Sequence, residues 1–340
     1  MTAIDLRSDT VTKPTLAMRQ AMFDAPVGDD VFDEDPTIHA LQDKAAAITA
    51  MEASLFVPSG TMANQIALLL HCRPGDDVIV GHNAHIYLYE SGGGAAIAGV
   101  QFSQIGAGGH FSCDELEAAI KTTDSAGHIP PTTLMCVENT HNRGGGLVMT
   151  PSVFETLANG ARRHGLGIHI DGARLFHAAA AEGVMVDAWT QHADTVSICL
   201  SKGLGAPVGS MLCGSAQLIK RAKRYRKMLG GGMRQAGVLA AAGLYALEHH
   251  VSGCVADNRR ALDFGRAIAS MPGATLALET VRSNIVVFRV EQAAQLLCDK
   301  VKDDVLILPM GPHDVRAVFH REIDDEGLAR AVDAIRRALC

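Results

Sequence analysis

Ser197-Ile198-Cys199-Leu200-Ser201-Lys202-Gly203-Leu204-Gly205-Ala206-Pro207-Val208-Gly209-Ser210 sets one lysine just past an apolar run. Residues 196–200 have the form of a buried strand. Small residues and Pro207 follow at once, so the backbone turns sharply. A lysine held at the end of a core strand is costly unless it is paired, neutral or covalently engaged. The glycines beside it would admit a large planar ligand close to the backbone. Lys202 is therefore either a Schiff-base amine or an ordinary lysine in a strand-to-loop turn. On this stretch alone the second reading is the commoner one.

Outward from Lys202 the chain alternates. Apolar runs at 54–57, 78–80, 100–105, 134–137, 166–170, 195–200 and 208–213 read as seven strands. Helical spacing separates them at 61–70, 86–98, 112–121 and 151–163, with Ser112 and Glu115 placed as a capping box. This predicts an α/β fold with a large, mostly parallel seven-stranded sheet between helices. A basic helix at 215–229 is broken by Gly230-Gly231-Gly232, and a long helix follows at 233–250. Beyond a helix at 257–270 the pattern changes to strands at 285–290, 305–308 and 315–319, with helices at 291–302 and 324–339. The expected organisation is an N-terminal arm over 1–12, a large domain over 13–250, and a smaller α+β C-terminal domain over 251–340.

The 340 residues are 48% hydrophobic and 20% charged, enough for two cores. A net charge of −7 argues against nucleic acid or an anionic membrane as the main partner. No apolar run reaches membrane-spanning length and Met1-Thr2-Ala3-Ile4-Asp5 lacks signal-peptide character, so a soluble, cytoplasmic protein is expected. Cysteines at 72, 113, 136, 199, 213, 254, 298 and 340 form no Cys-x-x-Cys pair. They read as reduced, mostly buried thiols, and no metal site is expected.

Ligands of open α/β sheets sit at the carboxyl ends of strands. Those ends here carry Pro58-Ser59-Gly60-Thr61-Met62, then His82 and His85, then Glu138, Asn139 and His141, then Asp171-Gly172-Ala173-Arg174, and last Lys202. The set meets the demands of pyridoxal 5'-phosphate. Gly60 and Thr61 offer amides and a hydroxyl to a phosphate at a helix N-terminus. Asp171 can keep a pyridine nitrogen protonated. His85 can lie against the ring, and Lys202 supplies the amine. Taken singly, each has a plainer reading as a helix cap, a loop histidine or a surface cation. The 31 residues between Asp171 and Lys202 leave room for one helix and one strand, which would put both on adjacent strand ends. Arg174 and Arg316 are candidate clamps for a substrate carboxylate. Lys220, Arg221, Lys223, Arg224, Arg226 and Lys227 read as a solvated basic face, and Gly92-Gly93-Gly94 as close helix packing.

With these motifs, and with Asp5-Leu6-Arg7-Ser8-Asp9-Thr10-Val11-Thr12, Val27-Gly28-Asp29-Asp30-Val31, Glu138-Asn139-Thr140-His141-Asn142 and Gly230-Gly231-Gly232-Met233-Arg234-Gln235, the chain resembles the low-specificity L-threonine aldolases. That resemblance covers nearly the full length. It implies fold type I of the pyridoxal-phosphate enzymes, and cleavage of L-threonine, L-allo-threonine and related β-hydroxy-α-amino acids to glycine and an aldehyde. It implies Lys202 as the Schiff-base lysine, His85 stacked on the ring, and Asp171 on the pyridine nitrogen. Gly60, Thr61 and Met62 would hold the phosphate, with Arg174 beside the cofactor. Lys227 and Arg234 would reach the phosphate from a neighbouring subunit of a homotetramer with shared sites. Ser8, Arg174 and Arg316 would grip the substrate carboxylate. His128, ten residues before Glu138, would stand near the substrate hydroxyl. His85, His128 and a water are all candidates for the base that takes the hydroxyl proton. Two departures are Phe32-Asp33 where many relatives have Tyr-Gly, and a loop at Arg143-Gly144-Gly145-Gly146 longer than in some relatives, which could alter the site entrance. Competing activities are β-elimination, racemisation or transamination on the same scaffold, a metal hydrolase built on the histidines, and a non-catalytic cofactor-binding protein.

Overall fold

The computed structural model describes residues 3–339. Seven strands form the large sheet: β1 (Ala53–Val57), β2 (Asp77–Gly81), β3 (Gln101–Ile105), β4 (Thr132–Glu138), β5 (Gly167–Gly172), β6 (Thr195–Cys199) and β7 (Ser210–Gly214). Their order is β1-β7-β6-β5-β4-β2-β3. Strands β6, β5, β4, β2 and β3 are parallel, and β7 runs antiparallel to both β6 and β1. The alternation of strands and helices thus folds as the sequence predicts, because parallel neighbours need a helical crossover between them. The crossover helices begin where their caps require. Ser59 caps Gly60–His71, Ser112 and Glu115 form the capping box of Cys113–Ala119, and Pro151 opens Pro151–Arg163.

One expected helix is absent as such. Residues 86–98 instead form a helical turn, His85–Leu88, then a bend with left-handed Ser91 and Gly92, then a π-helical segment, Gly94–Ala98. The run is interrupted at the left-handed Ser91 and Gly92, and the segment after it packs closely: a Cβ on Gly94 would overlap the Phe102 ring, and one on Gly93 would crowd the Gln65 amide. Gly93 and Gly94 are close packing, as expected for the run, whereas Gly92 has open space around it and takes the left-handed bend.

The C-terminal part builds a four-stranded antiparallel sheet around β8 (Ile285–Val290) and β9 (Asp314–Val318). Its own core gathers Phe264, Phe288, Phe319, Val286 and Ile335, with Leu6 of the arm fully buried among them. Residues 305–308 do not form the single expected strand. Val305–Leu306 pairs in parallel with Ile4–Asp5, whereas Leu308–Pro309 pairs antiparallel with β9. The N-terminal arm thereby forms a separate two-stranded sheet with Val305–Leu306, and the Leu6 carbonyl accepts the Val318 N–H of β9 at 2.8 Å before the arm reaches the large sheet.

The seven described cysteines are free, five of them buried, and Cys340 lies outside the described residues. Among the described residues no helix is long and apolar enough to cross a membrane. The basic helix, Ala216–Met228, is not a uniform solvated face. Arg226 is buried, donating to Asp30 at 2.6 Å and to the Phe56 carbonyl at 2.9 Å. A six-cation run hides this, because helical rotation turns only that member inward. Phe32 is 70% exposed, and Asp33 takes a left-handed φ of 65° that glycine would adopt without strain.

Burial holds His71, His110, His169 and His177 well below their ordinary value near 6.5, at about 4. Each is neutral when folded and charges readily only when unfolded. The unfolded chain therefore takes up more protons between about 6.5 and about 4, and stability falls as pH drops through that window. Urea unfolding at a series of pH values should show a loss of several kcal/mol from pH 7 to pH 4, steeper than one titrating group can give (about 1.4 kcal/mol per pH unit).

Candidate active site

Two adjoining cavities open at the carboxyl ends of the parallel strands, and Thr10, His85 and Lys202 line both. One, of about 370 Å³, is walled by residues 58–61, Cys199, Pro207 and Val208. The other, of about 310 Å³, is walled by Ser8, Tyr89, Asn142, Arg143, Arg174 and Arg316. A larger apolar groove of about 500 Å³, around Phe176, Met185 and Leu247, holds none of the residues singled out above.

The first cavity has an anion-binding end. Ser59 Oγ accepts the Met62 N–H at 3.1 Å, and the Ser59 carbonyl accepts that of Ala63. This leaves the amides of Gly60 and Thr61, which line the cavity, at the positive end of a 12-residue helix. A Cβ on Gly60 would come within 2.9 Å of Cys199 Sγ, so glycine keeps this corner open. Met62 is not brought in. Its amide is spent on the cap, and its sulfur packs against Gly231.

Strand register sets the opposite wall. Glu138 on β4 lies level with Asp171 on β5. Asp171 is buried and accepts from Asn64 Nδ2 at 2.8 Å and from the Ala173 amide at 3.2 Å. Burial alone would raise its pKa, but His85, Lys202 and Asn64 prevail and hold it below the usual carboxylate range. His85 Nδ1 stands 3.1 Å from Glu90 Oε1. Burial opposes its protonation, yet the Glu90 hydrogen bond and the Asp171 charge raise its pKa. Glu90 Oε1 also accepts from Asn64 Nδ2 at 2.7 Å, and Oε2 from Gln65 at 2.8 Å. Asn64 Oδ1 in turn accepts from Ser197 Oγ at 3.0 Å and faces His169 Nε2 at 3.1 Å, which fixes the amide's orientation. Ligand atoms of His85, Glu90 and Asp171 lie within 4.8 Å of one another, a spacing that would also suit a cation. Each carboxylate oxygen there already accepts from an amide of Asn64, Gln65 or Ala173.

Lys202 is half-buried at the wall shared by the two cavities and forms no ion pair among the described residues. Its carbonyl accepts from Thr12 Oγ1 at 2.8 Å and from the Gly205 N–H at 2.9 Å, which closes the turn after β6. The second cavity is cationic. Arg174 is buried, and its Nε and Nη2 grip both oxygens of Asp9 at 2.7 and 2.6 Å. Asp9 is held far below the usual carboxylate range by Arg174, with Lys202 and His177 adding to it, against the effect of its burial. Arg316, on β9, is held below its ordinary value by burial and by Arg174. Ser8 lines this cavity and caps the turn at Asp9–Val11.

Three expected residues lie elsewhere in the chain. His128 sits in the loop before β4 with an 80% exposed side chain beside Asp124. The strand that follows runs away from it, so the site at the carboxyl end of β4 is the length of the strand distant. Lys227 and Arg234 are exposed and line neither cavity, and Arg234 pairs with Asp29 at 3.1 Å. The residues not foreseen are Asp9, Asn64, Glu90 and the contacts of Glu138 and Asn142. Asn64-Gln65 carried a signal, being two amides inside an otherwise apolar helix. The loop over residues 143–146 brings Arg143 to the second cavity.

This is the architecture of the fold type I pyridoxal-phosphate enzymes, a large crossover sheet with a small C-terminal sheet beside its carboxyl edge. The threonine aldolase from Leishmania major superposes with a TM-score of 0.85 at 19% identity, covering 99% of each chain. The putative L-allo-threonine aldolase from Listeria monocytogenes EGD-E superposes with 0.84, also at 19% identity, covering 99% of this chain and 97% of that one. In sequence, the beta-eliminating lyase family model matches residues 5–291. The low specificity L-threonine aldolase of Escherichia coli K12 is 44% identical over 329 residues, 96% of each chain. Low-specificity L-threonine aldolase 1 of Arabidopsis thaliana is 40% identical over 347 residues, 100% of this chain and 97% of its own. The chain belongs to the beta-eliminating lyase family and, within it, to the low-specificity L-threonine aldolases.

Glu90→Gln removes the carboxylate that hydrogen-bonds His85 and helps outweigh its burial. The His85 imidazole should then titrate lower than in the unmutated protein, as followed by histidine NMR of the unliganded protein.

Proposed function

We propose that this chain binds pyridoxal 5'-phosphate on Lys202 and cleaves L-threonine, L-allo-threonine and related β-hydroxy-α-amino acids to glycine and an aldehyde. The observation that carries this reading is that Lys202 and His85 line both of two adjoining cavities, one with a helix N-terminus and the other with two arginines, while the buried Asp171 carboxylate lies close to His85. The residues fit the cofactor. Gly60 and Thr61 would hold the phosphate, and Gly60 leaves it the space a Cβ would take. Asp171, kept ionised, would hold a proton on the pyridine nitrogen. When bound, the cofactor supplies an electron sink for the charge released as the Cα–Cβ bond breaks.

The remaining chemistry falls to the chain. Arg174 and Arg316, with Ser8, would bind the substrate carboxylate and orient the amino acid. His85 would take the β-hydroxyl proton. With Nδ1 donating to Glu90, Nε2 is left as the basic nitrogen, and the Glu90 carboxylate stabilises the charge the ring acquires. His128 is not available for this from within the same chain. Lys227 and Arg234 would serve a second copy in a homotetramer with shared sites. Support comes from large apolar side chains left in solvent, with Leu16, Phe23 and Phe32 exposed by 86, 85 and 70%.

The family's name favours one second reading, β-elimination. Product analysis with L-threonine, L-allo-threonine and L-phenylserine separates the two. Glycine with the matching aldehyde supports the aldolase, whereas keto acid and ammonia overturn it. Lys202→Ala should abolish the visible absorbance of the bound cofactor and lower cleavage by more than ~10³-fold. Turnover at the unmutated rate would remove Lys202 from the role.

A further inference from the structure

The motif Glu138-Asn139-Thr140-His141-Asn142 has no part in the chemistry above, yet its two ends touch both halves of the site. We propose that Asn142 is a positioning residue that presents Arg316 to the cavity as an uncompensated cation, so that substrate carboxylate is the anion Arg316 pairs with. This rests on the reading of the second cavity as an amino-acid site.

The two arginines there are held in opposite ways. Arg174 is locked on both oxygens of the buried Asp9, so its charge is already matched within the protein. Arg316 donates Nη1 to Asn142 Oδ1 at 2.8 Å and Nη2 to the Arg7 carbonyl at 2.9 Å. Its Nε is buried with no partner. Both acceptors are neutral, and Arg316 forms no ion pair among the described residues. Guanidinium only donates, so Asn142 must face it with its oxygen. An aspartate has the same shape and would make a stronger, charge-assisted bond, but it would cancel the charge.

Asn142 is itself fixed from below. Its N–H donates to Glu138 Oε1 at 2.9 Å, while Glu138 Oε2 accepts the His85 N–H at 2.7 Å. One carboxylate at the end of β4 thus sets the backbone that carries His85 and the backbone that carries Asn142. Asn142 then reaches from the large sheet to Arg316 on β9 of the small one. The acid stays one bond removed from the guanidinium, and the amide makes the contact.

The test uses the holoenzyme, titrated with glycine and with glycinamide while the absorbance of the bound cofactor is followed. The wild type should prefer the carboxylate over the carboxamide. Asn142→Asp should lower that preference by about tenfold or more and raise KM for L-threonine by more than kcat falls. Asn142→Ala, which removes the anchor without adding a charge, should lower the preference less. Arg316→Gln should lower it as far as Asn142→Asp does, and should add nothing in the double variant. Arg316→Gln also keeps the test open if the aspartate variant takes up no cofactor. An unchanged preference in Asn142→Asp, an equal fall in Asn142→Ala, or additive effects of the two variants overturns the proposal. A wild type that prefers glycine over glycinamide but yields keto acid from L-threonine overturns the aldolase reading, and leaves the Asn142 comparison intact.

Discussion

One side-chain amide holds two buried acids apart. Asn64 gives one hydrogen to Asp171 and the other to Glu90, and both carboxylates are almost wholly out of water. Two ionised groups so placed would repel, and each would pay a desolvation cost of several kcal/mol. The amide, Gln65, the Ala173 N–H and the His85 ring together offset that cost. The outcome is a fixed negative field at the strand ends, opposite the amine of Lys202. Asn64 can do this only because Ser197 and His169 hold its oxygen, so the network reaches into β5 and β6 themselves.

The same economy of charge appears at the substrate side, with a different solution. Asp9 neutralises Arg174 in a buried bidentate pair, whereas Arg316 is supported by neutral dipoles. A pair keeps one guanidinium rigid, and the other keeps its charge for a ligand. Asp9 comes from the arm, which also lends Ser8 to the cavity and Ile4–Asp5 to the strand Val305–Leu306. The arm therefore ties the small sheet, which brings Arg316, to the large sheet, which brings Lys202.

Much of this was legible along the chain. The strands, their crossover helices and the caps at Ser59, Ser112 and Pro151 follow from local periodicity and local hydrogen bonds. Lys202, Asp171, His85, Gly60, Thr61 and Arg174 were legible as neighbours because a parallel sheet sends its strand ends to one edge, and Arg316 because it interrupts an apolar run on the small antiparallel sheet. The helix expected over 86–98 is interrupted by the left-handed backbone at Ser91 and Gly92, which the spacing of apolar residues does not encode. Met62 failed because its amide was already committed to a cap, and Arg226 because one member of a basic run turns inward. Within one chain His128 stands away from the site because it precedes the strand whose far end builds it.

The chain by itself therefore determined the sheet and which chemical groups stand along its edge, since both depend on residues a few positions apart. Only the tertiary structure decided how those groups are charged and aimed. Asn64 meets Glu90 across 26 residues and Asp171 across 107, and Arg316 meets Asn142 across 174. Partners so far apart share no period or cap that could announce them, and they meet only when separate elements are packed.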